Sequence, residues 1–126
     1  MITKEEVFLI HDEVVKLHGG ANGIRDIGGL ESAIARPFQT FGKENLYPTC
    51  FEKAAAIGES IIMNHPFIDG NKRTGYVLME LLLRIEGVKI NATDESLYTF
   101  VINISTGEIK FEQIVDWLKQ NTSTSL

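Results

Sequence analysis

His65-Pro66-Phe67-Ile68-Asp69-Gly70-Asn71-Lys72-Arg73-Thr74 separates two apolar, helix-forming runs, and its reading orders the rest of the chain. On its N-terminal side, Thr49 and Glu52 stand at capping-box spacing before Ala54, Ala55, Ile57, Gly58, Ile61 and Ile62, a run apolar on most faces. Pro66 disfavours helical geometry in the residue before it, so this helix stops at His65. On the C-terminal side, a helix opening near Asn71 carries Val77, Leu78, Leu81, Leu82 and Ile85 up to Gly87. Two largely apolar helices joined by a short polar loop predict the centre of an all-α core.

Outward from this pair, Thr3 and Glu6 form another capping-box pattern, and Val7, Ile10, Val14 and Leu17 recur at helical spacing until Gly19 and Gly20. Gly20 to Gly29 reads as a connecting loop, followed by a shorter helix from Leu30 to Arg36 that Pro37 stops. Pro37 to Thr49 has no clean periodicity, and a connection of this length in a small domain predicts a flap loop or short hairpin with a binding role. Val88 to Ile90 reads as a brief extended link, Asp94 to Ile104 as a helix stopped by Gly107, and Glu112 to Gln120 as the last helix. With no internal repeat or linker, the expectation is one domain over 1–126, a compact bundle of about six helices whose polar tail, 121–126, frays.

A chain of 126 residues, 44% of them hydrophobic, can bury a real core. Its net charge of -5 argues against a surface built for nucleic acid or anionic lipid, so any basic site must be local. The single cysteine, Cys50, cannot form an internal disulfide, and neither a signal segment nor a long uncharged span is visible; the expected compartment is the cytoplasm, with no membrane and no direct nucleic-acid partner.

The 65–74 run concentrates chemistry. Gly70 lets the chain turn, and the amides that follow are the unpaired N–H groups of a new helix, which make an anion cradle. Lys72 and Arg73 add positive charge, Arg as a fork for phosphate oxygens and Lys as a mobile point charge. A carboxylate beside such a site is usually there for Mg²⁺ bridging it to phosphates, which makes Asp69 the candidate metal ligand. Histidine is the side chain suited to exchanging a proton near neutral pH, which makes His65 the candidate general base toward an attacking hydroxyl. Pro66 fixes the turn and Phe67 plugs the loop into the core. The plainer alternative is a polar inter-helix loop with an Asp-Gly turn and an exposed cation pair. Elsewhere, His11 and His18 read as surface or half-buried histidines rather than a metal pair, Cys50 as a small packed residue, and Trp117 as either core or interface anchor.

Taken together, His65, Pro66, Phe67, Asp69, Gly70, Asn71, Lys72 and Arg73 resemble the signature of the Fic/Doc (Fido) family, His-Pro-Phe-x-Asp/Glu-Gly-Asn-Gly/Lys-Arg. Gly23-Ile24-Arg25-Asp26, the Leu30-Glu31-Ser32-Ala33 helix ending in Arg36-Pro37, and the flap that follows also resemble its short "death on curing" branch. The resemblance implies His65 as general base, Asp69 as Mg²⁺ ligand, Gly70, Asn71, Lys72 and Arg73 around the phosphates of ATP, and Thr40, Phe41 and Gly42 in a flap that pairs with a target segment. Members that transfer AMP usually have a small Gly where this chain has Lys72, and often a second Arg where it has Tyr76. Resemblance to the branch with Lys implies an inverted ATP and γ-phosphate transfer to a threonine of elongation factor Tu. It also implies a Phd-like antitoxin with a disordered C-terminal segment. AMP transfer to a hydroxyl side chain, and a non-catalytic helical binding module on the same fold, are the alternatives. Thr40-Phe41-Gly42-Lys43-Glu44-Asn45 matches a loose inhibitory pattern of the family but has weak helix chemistry.

Overall fold

A computed structural model describes residues 2–124. Six helices, α1 (Lys4–His18), α2 (Ile27–Ala35), α3 (Cys50–Asn64), α4 (Asn71–Ile85), α5 (Asp94–Thr106) and α6 (Phe111–Gln120), carry the fold, with two small two-stranded antiparallel pairings. The all-α expectation holds, and the central pair is α3 and α4.

These two helices approach closely because each places glycine at the crossing. A Cβ on Gly75 would stand 2.6 Å from Ile62 Cγ1 and 3.4 Å from the Gly58 carbonyl oxygen, and one on Gly58 would collide with the Met79 side chain. Ile57, Ile61, Ile62, Leu78, Met79 and Leu83 are consequently fully buried between them. Helix α3 also packs against α2, α5 and α6, so it is the axle of the domain. Trp117 on α6 stacks on Phe100 of α5, ring centroids 3.8 Å apart, which makes it a packing residue between the last two helices.

The capping box expected at Thr3 forms, whereas at Thr49 only the N-cap half of it does. Around Thr3 the exchange is complete: its hydroxyl accepts from the Glu6 N–H and its own N–H donates to Glu6 Oε1. At Thr49 the hydroxyl accepts from the Glu52 N–H and itself donates to Glu52 Oε1, so the return bond comes from side chain rather than backbone. Helix α2 begins earlier than its apolar pattern suggests, at Ile27, because the Asp26 carboxylate caps Gly29 N–H at 2.9 Å. Pro37 then closes the chain into a single 3₁₀ turn, Arg36–Phe38.

The flap is a hairpin: β1 (Thr40–Phe41) pairs antiparallel with β2 (Glu44–Asn45), turning through Gly42 and Lys43, both at positive φ. The inhibitory-like stretch is therefore strand and turn, not helix. The extended link Val88–Ile90 is strand β3, and its partner corrects the frayed-tail expectation. Residues Thr122–Thr124 form β4, in register Val88↔Thr124 and Ile90↔Thr122, continued by the Asn91 N–H to the Asn121 carbonyl at 2.7 Å. Composition marked that segment as polar, but its backbone groups satisfy an edge that would otherwise stay open. Residues 125–126 of the expected tail lie outside the described residues.

Candidate active site

The loop from His65 to Gly70 is fixed from four directions. Helix α3 ends with His65 in the left-handed region, φ 49°, a conformation that costs a residue with a Cβ about 1–2 kcal/mol. Arg25 holds it there: Nε donates to the His65 carbonyl at 2.7 Å and a terminal nitrogen to the Asn64 carbonyl at 2.6 Å. The Pro66 carbonyl accepts from the N–H groups of Arg25 and Asp26, and Ile68 N–H donates to Gly23 O at 3.1 Å. Gly23 to Asp26 thus lies against the loop like a short strand.

Phe67 is the plug. It is 1% exposed, and its backbone is gripped by Asn71, whose Oδ1 accepts from Phe67 N–H and whose Nδ2 donates to Phe67 O, both at 2.9 Å. This corrects part of what is expected of Asn71. Its side chain is buried and spent on the loop, so its available group toward a phosphate is the backbone N–H. Behind Phe67 lies His11, which is 2% exposed and stacked on the Phe67 ring at 3.8 Å. His11 Nε2 donates to the Asp69 carbonyl at 2.8 Å. His11 is thus neither surface nor half-buried; its ring braces the loop that carries the carboxylate.

Asp69 itself is held at one oxygen. Its Oδ2 accepts from Ala21 N–H at 2.8 Å, while among the described residues Oδ1 receives no hydrogen bond. This arrangement needs Gly20: at φ 113°, a Cβ there would stand 3.1 Å from Asp69 Cβ. The glycines after α1, legible in sequence only as a helix stop, let the chain pass close beneath the carboxylate.

Gly70, at φ 80°, is the N-cap of α4, and no side chain caps the amides of Asn71, Lys72 and Arg73. Among the described residues the ion pairs are Lys4–Glu31, Lys16–Glu13 and Arg36–Glu59, so Lys72 and Arg73 carry uncompensated charge at that helix tip. His65, Asp69, Gly70, Asn71, Lys72 and Arg73 line one open cleft of about 500 Å³, together with Val14, His18, Gly19 and Gly20 from the end of α1. Free amides, two cations, a half-free carboxylate and an exposed imidazole converge there, an arrangement that can hold a polyphosphate and take a proton beside it. No group of three or more metal-ligating side chains occurs among the described residues. Asp69, with Oδ1 open in the cleft that holds the amides and cations, is the residue that would hold a Mg²⁺.

Thr40, Phe41 and Gly42 do not line this cleft. Thr40 lines a separate apolar groove with Ile34, Phe38 and Gln39, and Phe41 is 82% exposed. The flap is tied at its base instead. Arg36, with Nε on the Tyr47 hydroxyl at 3.0 Å, also bonds Glu59 and Ser60 of α3 and lies over the Tyr47 and Phe111 rings. Burial opposes its charge, but the Tyr47 and Glu59 hydrogen bonds outweigh it and raise the guanidinium's pKa. Tyr76, three residues beyond Arg73, is half-buried and donates to Glu80 at 3.2 Å; burial first, then the Glu80 carboxylate, push its phenol up to about 12. It stays a neutral ring. Cys50 is half-buried with its thiol pKa raised by burial, as a packed residue rather than a reactive one.

Sequence reasoning missed three contributors, His11, Gly20 and Arg25, because each acts on the loop across a long separation in the chain. No helix among the described residues is long and apolar enough to cross a membrane. Compared with known proteins, the chain is 31% identical over 119 residues to "Protein kinase doc" of Escherichia phage P1, covering 94% of this chain and 93% of that protein. It is 42% identical over 74 residues to "Toxin Doc" of Mycolicibacterium smegmatis, covering 59% of this chain and 57% of that protein, so little more than half of that toxin is spanned. The model of the Fic/DOC family matches residues 1–83, a stretch that holds the loop and every residue found here to brace it, and the chain belongs to that family.

Proposed function

We propose that this protein is a Doc-like toxin, an ATP-dependent protein phosphotransferase that moves the γ-phosphate to a Thr or Ser hydroxyl of a protein target such as elongation factor Tu and so inhibits translation in the cytoplasm. The observation that carries the reading is the face of α4 next to the amide cradle: Lys72 and Arg73 supply its charge, and the neutral Tyr76, tied to Glu80, stands where a second cation would favour AMP transfer. The names of the two relatives, a toxin and a protein kinase, agree with it.

In this reading the γ-phosphate lies against the N–H groups of Asn71, Lys72 and Arg73, with the Arg73 guanidinium on its equatorial oxygens. The exposed His65 imidazole accepts the hydroxyl proton as the hydroxyl oxygen bonds to the γ-phosphorus. The bond to the β–γ bridging oxygen breaks and ADP leaves with that oxygen. The cradle's dipoles are already aimed at the charge that develops, so they need no reorganisation. Asp69 Oδ1 would hold Mg²⁺, whose contribution when bound is neutralisation of phosphate charge. A Phd-like antitoxin with a disordered C-terminal segment completes the proposal, and the Thr40–Gly42 strand edge would present unpaired backbone groups to an extended target segment.

The test is incubation of purified protein and cell extract with ATP labelled separately at the α- and γ-phosphates. Label retained on a protein target from the γ position alone supports the reading. Retention of α-label would establish AMP transfer instead, and no retained label from either would favour a non-catalytic module.

A further inference from the structure

We propose that Arg25 is a positioning residue for the His65 base, fixing the left-handed turn from which the imidazole enters the cleft. The inference rests on the phosphotransfer reading and adds a residue outside the 65–74 run on which its rate depends. A general base needs its ring held, and in the usual arrangement a third group hydrogen-bonds the second ring nitrogen. Among the described residues no such group meets the His65 ring. The hydrogen bonds at His65 are made by its backbone: its N–H donates to the Ile61 carbonyl at 3.3 Å and its carbonyl accepts from Arg25 at 2.7 Å. The direction of the imidazole is therefore set by the main chain beneath it.

That main chain is held against its own preferences. His65 caps α3 at φ 49° and ψ 57°, a conformation that glycine ordinarily supplies at a helix end. A residue with a Cβ that precedes a proline favours extended geometry instead, and relaxing to it would swing the ring out of place. Arg25 opposes the relaxation. Its Nε and a terminal nitrogen span the His65 and Asn64 carbonyls, which lie at the end of α3 without helical partners and at the negative pole of its dipole. A planar cation with two donors in a fixed fork fits that pair of oxygens as a lysine cannot. The backbone delivers the fork, because Arg25 N–H donates to the Pro66 carbonyl at 2.8 Å, so main chain and side chain together bracket residues 64 to 66. Arg25 is exposed and joins none of the ion pairs among the described residues, so neither core packing nor a carboxylate accounts for it.

The experiment compares wild type, Arg25→Ala, Arg25→Lys and Arg25→Gln for kcat and KM in γ-phosphate transfer, with and without added methylguanidinium, and follows melting temperature in parallel. Arg25→Ala is expected to lower kcat about 10–100-fold and leave the KM for ATP within about twofold of wild type, since the ring is misplaced while the phosphate cradle is intact. Arg25→Lys and Arg25→Gln, each able to reach one carbonyl, should fall between. Methylguanidinium should return much of the lost kcat to Arg25→Ala and do nothing for wild type. An unchanged kcat in all three variants overturns the proposal while the phosphotransferase reading stands. So does a loss that the KM for ATP shares and methylguanidinium does not recover, which would mark Arg25 as a support of the whole cleft. If Arg25→Ala does not fold, the kcat-against-KM split in Arg25→Lys and Arg25→Gln decides in the same way. A wild type that transfers no γ-phosphate overturns both readings together.

Discussion

The 65–70 loop and the 39–49 flap are both irregular connections leading into or out of α3, yet they are built on opposite plans. The loop spends side chains from α1, α4 and the Gly23–Asp26 segment on its own backbone: His11 on the Asp69 carbonyl, Asn71 on both polar groups of Phe67, Arg25 on the His65 carbonyl. The flap strands pair with each other, through Thr40↔Asn45 and Phe41↔Glu44, and the flap is tied down at its base by Arg36 on the Tyr47 hydroxyl and Lys53 on the Tyr47 carbonyl. In the proposed function a base, a carboxylate and an amide cradle would have to be held to fractions of an ångström, and an over-determined loop suits that demand. The proposed target contact would need free edges, and the flap keeps its outer strand edge open.

Substituting each region in turn tests that contrast. The largest effect is expected from His65→Ala, which should reduce transfer about 10²–10⁴-fold without moving the melting temperature, since the side chain is exposed; a large stability loss would mean that the imidazole is a fold element. Next comes Asn71→Ala. It strands the buried Phe67 N–H and C=O, a cost of about 2–4 kcal/mol in denaturant titration, and Asn71→Asp, which keeps the acceptor only, should fall between. His11→Phe preserves the stack on Phe67 but removes the donor to Asp69, and should cost about 1–2 kcal/mol while raising the Mg²⁺ concentration needed for half-maximal transfer. An unchanged Mg²⁺ requirement would show that His11 only fills space. The smallest stability effect belongs to the flap: Phe41→Ala should stay within about 0.5 kcal/mol of wild type. Its KM for a protein target should nonetheless rise with ATP binding unaltered, and if both stay unchanged the flap does not touch the target.

Much of the architecture could be read from the chain because its signals are local. The N-caps at Thr3 and Thr49, the Pro66 stop and the apolar faces of α3 and α4 act within a turn or two of helix. The early start of α2 escaped because Asp26 caps through a side chain that apolar periodicity ignores. The β3–β4 pairing escaped because Thr122–Thr124 has no pattern of its own and is ordered by a strand on the far side of α5 and α6 in the chain.

The same division runs through the site. The 65–74 run by itself determined which groups could act as base, metal ligand and phosphate cradle, since their order along one loop and one helix tip needs only local geometry. Tertiary structure alone decided that the Asn71 side chain serves the loop rather than a ligand, that His11 and Gly20 position Asp69, and that Tyr76 faces α5 across an apolar hollow. These assignments depend on which distant segment fills the space beside each residue, and that is set by how α1, α4 and α5 pack around α3.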